Sequence, residues 1–339
     1  MNSQQKFLLG VAAGAIGALV GRQLARGTRR IDFTGRVVVI TGGSRGLGLV
    51  LARQLASEGA RLCLLARNED ELGRAAAQFP PGVEVMTLRC DIRRRGDVRA
   101  AVDTILDRWG VIDVLINNAG VIQVGPLEHM TTGDFENAMA THFWGPLHLM
   151  FEIVPSMRRR GFGRIVNISS IGGRVAVPHL APYCASKFAL AGLSDAVRTE
   201  LDQYGIRVTT VAPGLMRTGS PVNADVKGQH EAEYAWFAIS DSLPGITVSA
   251  EKAAHQIVEA CRYGDSELTI SLAAKAAIVA NHLAPGAIAH ALTMVNRFLP
   301  GPNDASGDRG KRGRESTSKW APSAATVLTD KAAVVNNEV

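Results

Sequence analysis

The chain has 339 residues, room for one large domain or two small ones. Hydrophobic residues make up 46% and charged residues 20%, a balance suited to a globular α/β protein with a substantial core. The net charge of +6 comes partly from arginine clusters at Arg93 to Arg95, Arg158 to Arg160 and Arg309 to Arg314, with no interleaved aromatics, so nucleic acid is not the expected partner.

Four separated cysteines, Cys63, Cys90, Cys184 and Cys261, form neither a CxxC pair nor a disulfide framework, and no metal site is expected. Cys63 and Cys90 fall in apolar runs and read as buried thiols.

Taken in chain order, residues 7–21 (FLLGVAAGAIGALVG) carry no charge, and Arg22, Arg26, Arg29 and Arg30 follow at once. A helix of that length spans about 22 Å against a hydrocarbon core of about 30 Å. The apolar run and the arginines after it predict a membrane anchor that leaves the following domain on the cytoplasmic side. A cleaved signal peptide and a loose tail are the alternatives, the second leaving a cytoplasmic protein.

From residue 33 to about 270, short apolar runs alternate with helical patterns. Strands are expected at 36–41, 61–66, 83–90, 112–117, 164–169 and 207–212. Such near-continuous apolar strands predict a doubly wound parallel α/β sheet of the Rossmann type. Residues 1–30 then form a hydrophobic segment and basic linker, 31–271 the catalytic domain, 272–300 an apolar helical extension and 301–339 a disordered tail.

Between the first strand and first helix lies Thr41-Gly42-Gly43-Ser44-Arg45-Gly46-Leu47-Gly48. Glycines here permit a tight turn and close backbone approach, and the helix N-terminus attracts an anion, so this loop is expected to cradle a pyrophosphate. No Lys-Ser/Thr follows, so it is not a P-loop. After the second strand stands Arg67 rather than an acid, and Arg45 lies in the glycine loop. Two cations and no acid suit a 2′-phosphate, so NADP(H) is expected over NAD(H).

The G-x-x-x-G-x-G spacing of this loop begins a resemblance to the short-chain dehydrogenase/reductase family. Asp91 after the third strand, Asn117-Asn118-Ala119-Gly120 after the fourth, and Pro213-Gly214 with Thr218 after the sixth match further family motifs in the family's order. The resemblance implies that Asp91 lies near the adenine, and that Asn118, Ala119, Gly120, Pro213, Gly214 and Thr218 belong to the cofactor site. Tyr183 and Lys187, one helical turn apart, stand thirteen residues after Ser170 and match the family's Ser–Tyr–Lys set. Ser169 is the second candidate for the serine.

On this likeness Tyr183 is the general acid/base, Ser170 holds the substrate oxygen and Lys187 holds the nicotinamide ribose. The Lys187 ammonium is expected to lower the tyrosine's pKa. His142, in Thr141-His142-Phe143-Trp144-Gly145, takes the place of an asparagine that holds a relay water in the family. It is either part of that relay or structural.

The resulting expectation is a membrane-anchored NADP(H)-dependent oxidoreductase that interconverts a lipophilic carbonyl and its secondary alcohol. Leu215, Met216, Tyr234, Trp236 and Phe237 either line an apolar substrate pocket or belong to the core. A soluble 3-oxoacyl thioester reductase and a non-catalytic NADP(H)-binding sensor or scaffold are the alternatives. A homo-oligomer is also expected.

Overall fold

The computed structural model describes residues 26–339. The run 7–21, on which the anchor expectation rests, lies outside the described residues. No described helix is long and apolar enough to cross a membrane.

Seven parallel strands form the central sheet: β1 (Val37–Thr41), β2 (Arg61–Ala66), β3 (Val85–Arg89), β4 (Val114–Asn117), β5 (Gly163–Ile168), β6 (Ile206–Pro213) and β7 (Glu267–Ile270). Their spatial order is β7-β6-β5-β4-β1-β2-β3. The order reverses at β1, where the connection from β1 to β2 goes one way and β4 lies on the other side. Such a switch point opens a crevice at the strand C-termini, where ligands bind.

Alternation along the strands divides the core in two. Val38, Ile40, Leu62 and Leu64 pack on one face with α1 (Gly46–Ser57) and α8 (Ala250–Tyr263), through residues such as Leu51 and Ile257. Val37, Val39, Cys63 and Leu65 face the other way, against α3 (Arg95–Trp109) and α5 (Gly145–Arg160), through Ile105 and Ile153. Both faces are dry, which is why the strands read as unbroken apolar runs. All four cysteines are buried free thiols.

The remaining helices are α2 (Glu69–Ala76), α4 (Thr132–Met139), α6 (Ala181–Leu201), α7 (His230–Ser240), α9 (Leu272–Leu283), α10 (Pro285–Asn296) and α11 (Val327–Val335). The extension expected at 272–300 is the hairpin α9–α10, which leaves much apolar surface uncovered: Leu272 is 84% and Phe298 86% exposed.

The expectation of a disordered tail over 301–339 is corrected by the structure. Lys311–Arg312 pairs antiparallel with Asp225–Val226, and α11 packs onto the domain. Small side chains make this possible. Ala321 and Ala333 are buried, the Ser242 hydroxyl donates to Thr329 Oγ1 at 2.6 Å, and Thr329 donates to the Asp241 carbonyl at 3.1 Å. A segment held by small residues and side-chain-to-backbone bonds lacks the apolar content that marks order in a sequence.

Candidate active site

A cleft of about 1050 Å³ runs across the C-terminal ends of the strands. Its walls bring together every catalytic and cofactor-site residue expected from the sequence except Gly48.

Gly48 shapes the cleft from behind, because a Cβ there would strike the Gly42 carbonyl. Gly42 has φ of 62°, and a side chain there would also meet Ala119 Cα at 2.9 Å. The loop between β1 and α1 is thereby pressed against the end of β4. Thr41 Oγ1 accepts from the backbone N–H groups of Asn118 (2.9 Å) and Ala119 (3.0 Å). Asn118 Nδ2 returns bonds to the carbonyls of Thr41 (3.0 Å) and Gly42 (3.2 Å).

A buried polar chain, not singled out from the sequence, continues beneath the site. Asn117 Nδ2 donates to Asn167 Oδ1 at 2.8 Å, Asn167 Nδ2 to Ser194 Oγ at 3.0 Å, and Thr210 Oγ1 to Ser194 Oγ at 2.7 Å. It joins β4, β5, β6 and α6. Asn117 belongs to the Asn-Asn-Ala-Gly run, but only three-dimensional pairing reveals its partners.

At one end of the cleft stand Arg45, Arg67 and Asp91. Arg45 pairs with Glu71 at 2.9 Å and Glu338 at 3.2 Å. Arg67 is exposed at the cleft rim. Asp91 takes bonds from the Arg93 guanidinium, the shortest 2.6 Å, which hold its carboxyl below the usual carboxylate range.

At the other end lie Ser170, Tyr183 and Lys187. Ser170 ends β5's loop, and its hydroxyl accepts from Gly172 N–H at 3.0 Å. The Ser169 hydroxyl is committed to the Lys187 carbonyl at 2.9 Å, so it fastens the loop to α6. Lys187 Nζ donates to the Ile168 carbonyl at 2.8 Å and lies 5.6 Å from the Tyr183 ring centre.

Lys187 is not among the groups that move the Tyr183 phenol. Burial pushes the Tyr183 phenol up, against a smaller pull from its hydrogen bond with Ser170. Burial also pushes the Lys187 ammonium down, to about 7.

His142 is fully buried in a wide helical turn, Ala140–Trp144, between α4 and α5. Nε2 accepts from Val121 N–H at 3.1 Å, and Nδ1 lies 2.7 Å from Ser186 Oγ. Each ring nitrogen thus has a protein partner. Burial, and secondarily Lys187, hold its pKa well below the ordinary histidine value.

Of the five candidates for an apolar substrate wall, only Met216 lines the cleft. Tyr234 and Phe237 turn inward and pack with Val124, Leu180 and Ala321, with Trp236 against the same cluster. The side of α7 that carries them is the one that faces the domain. Thr218 lines the cleft near Pro213 and Gly214, with its hydroxyl bonded to that of Ser220.

The short chain dehydrogenase family model matches residues 36–227, more than half of the chain. The chain is 37% identical over 222 residues to Dehydrogenase/reductase SDR family member 7B of Danio rerio, covering 63% of this chain and 72% of that one. It is 32% identical over 241 residues to Ketoacyl reductase HetN of a Nostoc species, covering 70% and 79%. Among solved structures, L-sorbose reductase from Gluconobacter frateurii, complexed with NADPH and L-sorbose, superposes with a TM-score of 0.64 at 27% identity, covering 71% of this chain and 97% of that one. The glycine loop, the parallel sheet with its switch point and the extended match agree: the chain belongs to the short-chain dehydrogenase/reductase family of oxidoreductases, which bind a nicotinamide cofactor.

Proposed function

We propose that the chain interconverts a carbonyl and a secondary alcohol with NADP(H), with Tyr183 as general acid and base. One observation carries this: a single cleft has Ser170, Tyr183 and Lys187 at one end and Arg45 and Arg67 at the other. The residues fit a dinucleotide. Side chains at Gly42 and Gly48 would fill the cradle, and the two arginines suit a 2′-phosphate.

When bound, the cofactor supplies or accepts the hydride. The chain's own residues handle the proton and the geometry. Burial keeps Tyr183 protonated, so its O–H is available to donate to a carbonyl oxygen as the carbon is reduced. The Ser170 hydroxyl holds that oxygen beside the phenol. Lys187, anchored on the Ile168 carbonyl, would use its remaining N–H donors to hold the cofactor ribose. In the reverse direction Tyr183 would act as general base, its phenolate favoured by the Lys187 ammonium and the positive charge of the oxidised cofactor.

The 3-oxoacyl thioester alternative is favoured by the likeness to a ketoacyl reductase and by a cleft wall that Tyr234 and Phe237 do not line. Membrane association is supported by the bare hairpin α9–α10, which has no acidic residue from Leu272 to Leu299. Exposed Phe151 and Phe188 on α5 and α6 suit a second copy of the chain. NADPH oxidation with lipophilic ketones and with 3-oxoacyl thioesters, each in parallel, separates the substrate classes. Failure of both, with NADPH bound, would favour the sensor.

A further inference from the structure

We propose that Glu338 sets the cofactor selectivity of the cleft: by engaging Arg45 it withholds that cation from a 2′-phosphate, so that displacing Asn336–Glu338 favours NADP(H) over NAD(H). The proposal rests on the dinucleotide reading of the cleft given above.

The segment is fastened onto the glycine loop by several independent bonds. The Asn336 carbonyl accepts from Gly46 N–H at 2.8 Å. Asn337 Nδ2 donates to the carbonyls of Ser44 (2.8 Å) and Glu71 (3.2 Å), and Arg74 Nε donates to Asn337 Oδ1 at 3.0 Å. Asn337 has φ of 58°, a left-handed turn that asparagine tolerates. That turn carries Glu338 back toward the cleft.

There the Glu338 carboxylate lies 3.2 Å from Arg45 Nε and accepts from Asn223 Nδ2 at 2.7 Å. A side chain at Gly46 would meet Glu338 Oε1 at 2.5 Å, so the carboxylate sits directly over the first residue of α1. This is the end of a helix that attracts anions. Glu71 holds the opposite side of the same guanidinium at 2.9 Å and accepts from Ser44 Oγ at 3.0 Å.

Arg45 is therefore bracketed by two carboxylates, and the Ser44 hydroxyl is already donating. A 2′-phosphate entering here would exchange with Glu338 for the cation and would meet the charge of Glu71. A ribose 2′-OH brings no charge and loses less. Arg67 differs: its charged surroundings are mainly cationic, from Arg93, Arg45 and Arg312, with Asp91 opposing. It remains available to a phosphate while Arg45 is held.

Glu338 is also costly to keep ionised. Burial pushes its carboxyl up to about 7, against the pull of Arg45 and Asn223 and with Glu71 adding repulsion. A contact of this kind is displaceable, as a competitor for a binding site must be.

The test is fluorescence titration of the full chain with NADPH and with NADH, for wild type, Glu338→Gln and Asn337→Ala. Glu338→Gln removes the charge and keeps the shape. Asn337→Ala loosens the segment and keeps the charge. Both should tighten NADPH, Glu338→Gln by about tenfold, and tighten NADH by less, since the segment also covers the Gly46 N–H of the cradle that either dinucleotide uses. Unchanged or weaker NADPH binding in both variants would overturn the proposal. Equal tightening of both cofactors would show a general cover and overturn selectivity. If neither dinucleotide binds wild type or variants, the dinucleotide reading itself falls.

Discussion

Nδ1 of His142 stands 2.7 Å from the hydroxyl of Ser186, one residue before Lys187. Ser186 spends its own proton on the Tyr183 carbonyl at 2.8 Å, so it must accept from His142. Nε2 is then the acceptor for Val121 N–H, which fixes one neutral tautomer. His142 ties the loop after β4 to the helix that carries Tyr183 and Lys187. A water relay through it would have to displace one of those partners.

His142→Ala should therefore destabilise the protein by about 2 kcal/mol, a fall in Tm of about 4–8 °C. His142→Asn should keep the same apparent pKa values in the kcat/KM profile, because burial holds the histidine's pKa well below its ordinary value. An ionisation present in wild type and missing in His142→Asn would contradict the strut.

Lys187 is buried with its pKa lowered to about 7 by desolvation. Its folded value lies below the unfolded one, so between about pH 7 and the ordinary value of 10.5 the unfolded chain binds the extra proton. Stability from this group rises with pH across that window, and the penalty is full below it. Lys187→Met should raise the Tm of the cofactor-free protein, by about 2 kcal/mol of stability near pH 6, and abolish turnover. The gain should shrink toward pH 10. A Tm gain independent of pH, or a loss, would count against a buried, destabilised ammonium.

Cofactor choice should follow Arg67. Wild type is expected to prefer NADPH by about tenfold or more in kcat/KM, and Arg67→Asp should erase or reverse that preference. Equal use of NADPH and NADH by wild type would remove the basis for a 2′-phosphate site at Arg67.

Full-length protein should sediment with membranes and resist a high-salt wash, whereas a form beginning at Ile31 should be at least partly released by carbonate. Residual binding of the shortened form is expected from the exposed apolar hairpin α9–α10. Full-length protein in the soluble fraction before any wash would contradict membrane attachment.

The sheet was legible because its strands are buried on both faces: β1, β2 and β5 read as unbroken runs within a residue of their observed ends. β7 was harder, since Glu267–Ile270 is short, lies at an edge and opens on a charged residue. The site was legible where chemistry imposes fixed spacing, as for Ser170, Tyr183 and Lys187. What sequence patterns missed depends on distant partners. Asn117 meets Asn167 fifty residues away, and Glu338 meets Arg45 from nearly the other end of the chain. Tyr234 and Phe237 could not be divided between pocket and core, because an aromatic beside a pocket and one in a core have the same local pattern.

The central claim is that Tyr183 moves the proton, and Tyr183→Phe tests it most directly. The substitution removes the hydroxyl and keeps the ring that packs at 5.5 Å from His142. NADPH binding, followed by fluorescence, should persist, while NADPH oxidation with a carbonyl substrate should fall by about 10²–10⁴-fold. Retention of more than about a tenth of the wild-type rate, with cofactor bound, would contradict the assignment.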